Sequence, residues 1–175
     1  RSEFSHNIPT LRSANKKVFI TVEGGDVLGA ILFVLISLSR QLLHNIEFIV
    51  VSGKDNPRNS NIERWIDNYE FDKVKLEINP DSIVKLFASC DLAIMAGGTT
   101  VYEVASIGLP MILIAIADNQ IKHSYDWGQA TKLVKFLGSL DSMTEARLID
   151  AFKYFISKQS IEYSQELRTM VDGLG

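Results

Sequence analysis

The chain has 175 residues, of which 46% are hydrophobic, and this content is sufficient to build the core of one domain. Its formal net charge of −3 and its pI of about 5.6 argue against sequence-independent binding of nucleic acid, which requires a basic surface. Its single cysteine, Cys90, cannot form an internal disulfide, so we expect a buried structural thiol in a reducing compartment.

The beginning of the chain differs from the rest in composition. Residues 1–17 are polar, include Pro9 and lack a sustained apolar period, so we expect a linker or arm before a domain at residues 18–175. The apolar run at residues 27–38 is shorter than the roughly 20 residues that span a bilayer core, and it predicts a buried helix instead of a membrane span. The first residues lack the pattern of a signal peptide, so we expect a cytoplasmic protein.

Short apolar runs alternate with longer amphipathic segments along the chain. The apolar runs predict strands at residues 18–22, 47–52, 73–78, 92–95, 111–115 and 132–136. The segments between them predict helices at residues 29–44, 61–68, 81–89, 100–108 and 121–130, and the end of the chain predicts helices at 142–157 and 161–173. Strands that are apolar throughout are buried on both faces, and alternation with helices indicates parallel pairing. The sequence therefore predicts a doubly wound α/β domain with C-terminal helices.

The most informative segment joins the fourth predicted strand to the next helix. Gly97 and Gly98 end the strand, Thr99 and Thr100 begin the helix, and Glu103 follows one turn later. Backbone N–H groups at a helix start carry partial positive charge, and glycines allow a phosphate to approach them closely. The segment predicts an anion-binding loop at the carboxyl edge of the sheet.

Some of these residues also have purely structural interpretations. Thr100 and Glu103 have the spacing of a capping box, so both could serve only to begin the helix. Ser142 and Glu145 share that spacing and predict the start of another helix. Gly108 predicts a left-handed helix end.

Two further loops follow predicted strands at the same edge, where ligands of open α/β sheets bind. Gly24 and Gly25 follow the first strand, and Asn119 and Gln120 follow the fifth. The Asn119-Gln120 pair could equally cap the next helix. His123, one turn into that helix, has no partner visible in the sequence and is interpreted as a surface or packing residue.

Several sequence patterns of catalysis are missing. The chain has no G-x-G-x-x-G fingerprint and no Walker loop, so dinucleotide binding and NTP hydrolysis are not indicated. It has neither a Cys/His cluster with metal-ligand spacing nor a G-x-S-x-G elbow, and we expect no metal and no cofactor. The sequence offers binding groups without an obvious base or nucleophile. The chain is therefore either a binding module or one part of an enzyme.

The segment between Gly97 and Gln120, with its Gly-Leu-Pro turn and apolar strand, resembles the carboxyl-terminal half of GT-B nucleotide-sugar enzymes. The resemblance is closest to the UDP-sugar hydrolase of pseudaminic acid biosynthesis and its spore-coat polysaccharide relatives, and it covers most of the chain. It implies a UDP-sugar in a cleft between two Rossmann-like halves. We expect the amino-terminal half, which would supply a histidine base, to be missing from this chain.

The resemblance also implies a role for each site residue. Glu103 would accept hydrogen bonds from the ribose hydroxyls, and Asn119, near the reacting carbon, would face the sugar together with Gln120. Water would attack the anomeric carbon and UDP would leave. The diphosphate would receive N–H and hydroxyl groups from three successive residues: Gly98, Thr99 and Thr100.

The loop after the first strand departs from this family. The family usually has Gly-Gly-Ser-Asp-Pro, whereas this chain has Glu23-Gly24-Gly25-Asp26-Val27. Two carboxylates would repel a diphosphate unless they turn away or a cation intervenes. Two alternatives to the hydrolase remain open. One is a glycosyltransferase half, similar to the enzyme that adds N-acetylglucosamine to lipid-linked peptidoglycan precursors. The other is a non-catalytic domain that kept the fold and lost the site.

Overall fold

The structure is a computed structural model that describes residues 16–22, 26, 28–41, 45–68, 73–157 and 165–171. Its described strands are β1 (Lys16–Thr21), β2 (Ile46–Ser52), β3 (Val74–Ile78), β4 (Leu92–Ala96), β5 (Met111–Ala115) and β6 (Val134–Ser139). They form one sheet in the order β3-β2-β1-β4-β5-β6, in which every neighbouring pair is parallel. The predicted doubly wound α/β fold is confirmed.

Helices cover both faces of the sheet. The described helices are α1 (Ala30–Ser39), α2 (Asn59–Asn68), α3 (Ile83–Ala88), α4 (Thr100–Ser106), α5 (Asp118–Ala130), α6 (Glu145–Ile156) and α7 (Gln165–Thr169). α1 and α6 contribute to the core on one face, while α3, α4 and α7 contribute to the core on the other. The C-terminal helices α6 and α7 thus pack against opposite faces.

The two cores explain why the central strands are apolar along their whole length. Successive side chains of a strand point to opposite faces, and in β4 Leu92 and Ile94 join one core while Ala93 and Met95 join the other. Every residue of β4 and β5 is buried. This double burial is the reason that their sequences show no alternation of apolar and polar residues.

The first apolar helix is part of the core. α1 buries six of its ten residues, so the buried helix predicted from residues 27–38 is confirmed. No helix in the described part of the chain is both long and apolar enough to cross a membrane. β1 begins at Lys16, and residues 1–15, which hold most of the predicted linker, lie outside the described residues.

The observed helix ends show that one predicted cap is wrong and confirm one predicted helix end. The predicted cap of α6 by Ser142 is wrong, because Ser142 belongs to a 3₁₀ turn at Leu140–Ser142. Thr144 caps the helix instead, and its Oγ1 accepts a hydrogen bond from the backbone N–H of Arg147 at 3.4 Å. The extra turn moves the helix start past the predicted residue. Gly108 has a φ of +80° after α4, as predicted for a left-handed helix end.

The thiol of Cys90 is buried after α3, as predicted. It donates a hydrogen bond to the carbonyl of Leu86 at 3.2 Å. Burial raises the pKa of the Cys90 thiol to about 12. Because the thiolate is the nucleophilic form, Cys90 is a structural residue at neutral pH.

Candidate functional site at the strand-order switch

The strand order reverses between β1 and β4, which are neighbours in the centre of the sheet. From β1 the chain continues into α1 on one face, and from β4 it continues into α4 on the other. The chain thus leaves the two strands toward opposite faces, and the carboxyl ends of strands at such a reversal are the usual place for a ligand in open α/β sheets. The loop after β5 reaches the same edge.

In the loop between β4 and α4, one backbone N–H group is hydrogen-bonded within the protein and the next two are not, among the described residues. The N–H of Gly97 is used within the protein, since it donates to the carbonyl of Ile114 in β5 at 3.2 Å. The backbone N–H groups of Gly98 and Thr99 donate to no group in the described part of the chain. Thr99 is exposed and Gly98 is half-buried. The loop therefore presents two adjacent N–H groups that a ligand could use.

The start of α4 does not have the geometry of a capping box at Thr100 and Glu103. An N-cap residue has a non-helical backbone, whereas Thr99 already has helical angles of φ −68° and ψ −26°. Thr100 is therefore inside the helix, where it is buried, and the side chain of Thr99 makes no capping hydrogen bond. Glu103 lies in the first turn and is half-buried. The purely structural interpretation of this pair loses its main support.

α5 packs closely against Gly97. A Cβ atom on Gly97 would overlap the Oγ of Ser124 and would lie 3.1 Å from the Cβ of Ser124. It would also lie 3.5 Å from the backbone carbonyl oxygen of Gln120. Ser124 is fully buried, and its Oγ has no hydrogen-bond partner among the described residues. Glycine is needed at position 97 because the helix occupies the place of a side chain.

The loop after β5 places one predicted site residue beside the glycine loop. Gln120 approaches Gly97 as described, and its Oε1 accepts a hydrogen bond from the backbone N–H of Ile116 at 3.0 Å. Its amide NH₂ donates to no group in the described residues and is available to a ligand. Asn119 is exposed in the first turn of α5. Ala117 takes the N-cap position, so Asn119 is not the cap that the structural alternative expected.

The loop after β1 has a buried carboxylate. Gly24 and Gly25, the predicted site residues of this loop, lie outside the described residues. Asp26 follows them with a φ of +47° and is 1% exposed. Its Oδ1 accepts from the backbone N–H of Ala30 at 2.6 Å, and both of its carboxylate oxygens lie within 3.4 Å of the backbone N of Ile31. Asp26 therefore satisfies the first donors of α1.

A cation lies near this carboxylate. The guanidinium of Arg58 packs on Gly29, where a Cβ atom would lie 3.5 Å from its Cζ. Burial raises the pKa of Asp26, while its backbone hydrogen bonds and the charge of Arg58 act in the opposite direction. Asp26 thus turns into the protein and has a positive charge nearby. Its repulsion of a ligand phosphate is reduced by both effects.

His123 has three hydrogen-bonding partners, none of which the sequence analysis identified. Its Nδ1 lies 3.2 Å from the carbonyl oxygen of Gly97, and its Nε2 lies 3.0 Å from the Nε1 of Trp127 and 3.1 Å from the hydroxyl of Tyr102. The i, i+4 spacing of His123 and Trp127 could have indicated one of these contacts. The other two depend on how α4 and α5 pack.

The described residues contain no group of three or more His, Cys, Asp or Glu side chains that could hold a metal ion. The polar groups at this edge include the backbone N–H groups of Gly98 and Thr99, the side-chain amides of Asn119 and Gln120, and the carboxylates of Glu103 and Asp118. Such a set suits a ligand that combines phosphate with hydroxyl groups.

Solved structures share this architecture at low sequence identity. The spinosyn rhamnosyltransferase SpnG, complexed with thymidine diphosphate, matches with a TM-score of 0.71 and 15% identity over 94% of this chain and 42% of SpnG. MurG of Acinetobacter baumannii matches with a TM-score of 0.64 and 20% identity over 91% of this chain and 47% of MurG. The chain has the fold of a GT-B glycosyltransferase domain.

A third neighbour is the pneumococcal O-GlcNAc transferase GtfA in complex with UDP and GlcNAc. It matches with a TM-score of 0.64 and 16% identity over 95% of this chain and 35% of GtfA. The chain therefore spans less than half the length of each of these three proteins. No protein-family model and no curated protein matches the sequence. The resemblance to the hydrolase of pseudaminic acid biosynthesis receives no support from these neighbours, two of which are named as transferases.

Proposed function

We propose that this chain is the nucleotide-sugar-binding domain of a GT-B glycosyltransferase that acts in glycan biosynthesis. The observation that carries the proposal is the loop between β4 and α4, which presents the N–H groups of Gly98 and Thr99 at the strand-order switch. The fold is that of transferases of which one was solved with thymidine diphosphate and another with UDP. The diphosphate would lie against this loop.

Each part of the nucleotide sugar has a partner in the proposal. Gly98, Thr99 and Thr100 donate to the diphosphate, and Glu103 accepts from the ribose hydroxyls. A carboxylate suits the ribose because charge-assisted hydrogen bonds are stronger than neutral ones. Gln120 donates from its amide to the phosphate or sugar, and Asn119 lies nearer the reacting carbon.

Gly24 and Gly25 would complete the site from the loop after β1. Asp26 is 1% exposed and accepts hydrogen bonds from the first N–H groups of α1, so its carboxylate occupies the place where a phosphate could bind the start of that helix. In the proposal, the diphosphate therefore binds at the start of α4 and not at the start of α1.

Transfer to an acceptor is preferred to hydrolysis because the transferase neighbours support that alternative better. His123 is not placed to activate water, because both of its ring nitrogens make contacts within the protein. We infer that a second domain supplies the acceptor site and the remaining catalytic groups. A cytoplasmic site of action is part of the proposal.

The decisive variant is Glu103→Ala, tested by titrating the chain with UDP and thymidine diphosphate in calorimetry. Loss of a charged hydrogen-bond acceptor costs about 1.5–3 kcal/mol, so we expect UDP to bind about 10- to 150-fold more weakly. The matched control is Glu47→Ala. Glu47 lies near the amino end of β2, at the opposite edge of the sheet, and forms an ion pair with Lys17 at 3.2 Å.

Glu47→Ala should bind UDP as the parent chain does, because its side chain is distant from the switch. Equal losses in the two variants would contradict the assigned role of Glu103. If neither diphosphate binds the parent chain at millimolar concentration, the proposed function is wrong and the non-catalytic alternative is favoured.

A further inference from the structure

His123 connects three elements around the loop that the proposed function assigns to the diphosphate. The residue lies on α5, and one ring nitrogen contacts the carbonyl of Gly97 in the loop. The other ring nitrogen contacts Tyr102 on α4 and Trp127 on α5. The three side-chain rings also contact one another, with ring centroids 5.3–6.4 Å apart.

The donors around the ring decide which nitrogen carries the proton. The indole Nε1–H of Trp127 can only donate, so the Nε2 of His123 must accept at 3.0 Å. The proton of the neutral imidazole is then on Nδ1, where it donates to the carbonyl of Gly97 at 3.2 Å. The hydroxyl of Tyr102 adds a second donor to Nε2. Trp127 therefore fixes the tautomer that Gly97 requires, and Tyr102 supports it as a second donor that shares the lone pair of Nε2.

The contact to Gly97 controls the direction of the next peptide group. The carbonyl of Gly97 and the N–H of Gly98 belong to one planar peptide unit and point in opposite directions. A donor that holds the carbonyl toward α5 therefore turns the N–H of Gly98 away from α5. The N–H of Gly97 is already held by Ile114. Both sides of Gly97 are thus fixed by hydrogen bonds.

We propose that His123 is a positioning residue that orients the Gly97–Gly98 peptide so that the N–H of Gly98 faces the diphosphate. The inference deepens the proposed function and rests on it for the identity of the ligand. His123 touches no ligand in this role. It acts through the peptide unit, and Trp127 and Tyr102 act through His123.

The first test uses two substitutions of the same residue in the 175-residue chain. His123→Ala removes the donor to Gly97, and we expect UDP to bind about three- to tenfold more weakly, the usual effect of one hydrogen bond. His123→Asn places an amide donor about as far from the backbone as Nδ1. We expect this variant to recover most of the affinity.

A matched pair of tyrosines tests the other end of the ring. Tyr102 and Tyr125 are both about half exposed, but among the described residues the Tyr102 hydroxyl contacts His123 while Tyr125 has no hydrogen-bond partner. Tyr102→Phe should weaken UDP binding up to threefold, and Tyr125→Phe should leave it unchanged. Trp127→Phe, which removes the donor that fixes the tautomer, should have an effect at least as large as Tyr102→Phe.

The orientation of the loop can also be followed without ligand, through the amide signals of Gly98 and Thr99 in ¹H–¹⁵N NMR spectra. His123→Ala should shift these signals and His123→Asn should return them toward the parent positions. This result would support the positioning role even if the parent chain failed to bind UDP, in which case the proposed function alone would be wrong.

Two results would overturn the inference. One is an unchanged pair of loop signals in His123→Ala. The other is a failure of His123→Asn to restore both the signals and the affinity. If His123→Ala does not fold, the comparison of Tyr102→Phe with Tyr125→Phe tests the inference, and equal loop signals in those two variants would reject it.

Discussion

The two loops at the strand-order switch differ in whether they supply a hydrogen-bond acceptor to the N–H groups at the start of the following helix. In the loop before α1, the carboxylate of Asp26 is buried and accepts hydrogen bonds from the first N–H groups of the helix. In the loop before α4, the Thr99 side chain makes no capping bond, and the N–H groups of Gly98 and Thr99 donate to nothing in the described residues. One helix start carries an internal anion, and the other is open.

Under the proposed function, this difference leaves a single helix start at the sheet edge for a phosphate. A helix N-terminus attracts any anion, so two open starts would compete for the ligand. Asp26 removes one of them, while Arg58 partly offsets its charge. The buried carboxylate therefore contributes to fold stability, while the proposed function assigns binding to the open loop. Substitutions in the two loops should separate these two properties.

Gly97→Ala should have the largest effect, because it acts on stability and on binding together. Its Cβ would overlap the Oγ of Ser124, and overpacking of this kind costs about 1–3 kcal/mol of unfolding free energy. UDP binding should also weaken, since the loop must shift away from α5. Urea denaturation and calorimetry measure the two effects.

Gly53→Ala is the control for this substitution. A Cβ atom on Gly53 would have no neighbour within 4 Å, so the change should alter the free energy of unfolding by less than about 1 kcal/mol and could raise it. If Gly97→Ala and Gly53→Ala had equal stability, the close packing of α5 on the loop would be contradicted.

Asp26→Ala should reduce stability without an equal loss of binding. The variant loses the acceptor for the first N–H groups of α1, which costs about 1 kcal/mol. It also places alanine at a φ of +47°, which costs roughly another 1–2 kcal/mol. Asp26→Asn should be close to the parent, because asparagine keeps one acceptor oxygen and tolerates this φ. A large loss of UDP affinity in Asp26→Asn would show that the two loops are not separate in function.

The pH dependence of stability provides a sharper test of Asp26. Burial raises the pKa of its carboxyl in the folded chain above the ordinary aspartate value of 3.8, so the folded chain binds a proton that the unfolded chain releases. The proton-dependent part of the contribution of Asp26 to stability is therefore full below pH 3.8 and is lost as the pH rises through the folded-state pKa. The unfolding free energy of the parent minus that of Asp26→Asn should fall over this range and then become constant. A difference that rises with pH would mean that the hydrogen bonds and the charge of Arg58, and not burial, dominate the pKa of Asp26.

The strands and the open glycine loop were predictable from local sequence. β5 was predicted with its observed bounds, and Gly108 was predicted to end α4, because continuous burial and a left-handed helix end each leave a local pattern. The location of the Asp26 side chain was not predictable. Its inward turn depends on a positive φ and on the nearby Arg58, which is 32 residues further along the chain by its number.

The contacts of α5 with the loop were also beyond the sequence. His123 was interpreted as a surface or packing residue because Gly97 and Tyr102 are 26 and 21 residues away from it. These contacts exist because two consecutive βα units place α4 and α5 side by side. The cap of α6 was assigned to Ser142 because Ser142 and Glu145 have the spacing of a capping box, and the intervening 3₁₀ turn has no clear sequence signal.

Thr99→Ala should have the smallest effect and gives the narrowest comparison of two helix starts. Thr144 caps α6 through its Oγ1, so Thr144→Ala should lower the free energy of unfolding by about 0.5–2 kcal/mol. Thr99 makes no cap, and Thr99→Ala should change stability by less than about 0.5 kcal/mol. If its hydroxyl contacts the diphosphate, UDP should bind about two- to tenfold more weakly. Paired thermal unfolding and UDP titration distinguish the two threonines. Equal stability losses, together with unchanged UDP binding in Thr99→Ala, would mean that the start of α4 is an ordinary capped helix end and that the diphosphate binds elsewhere.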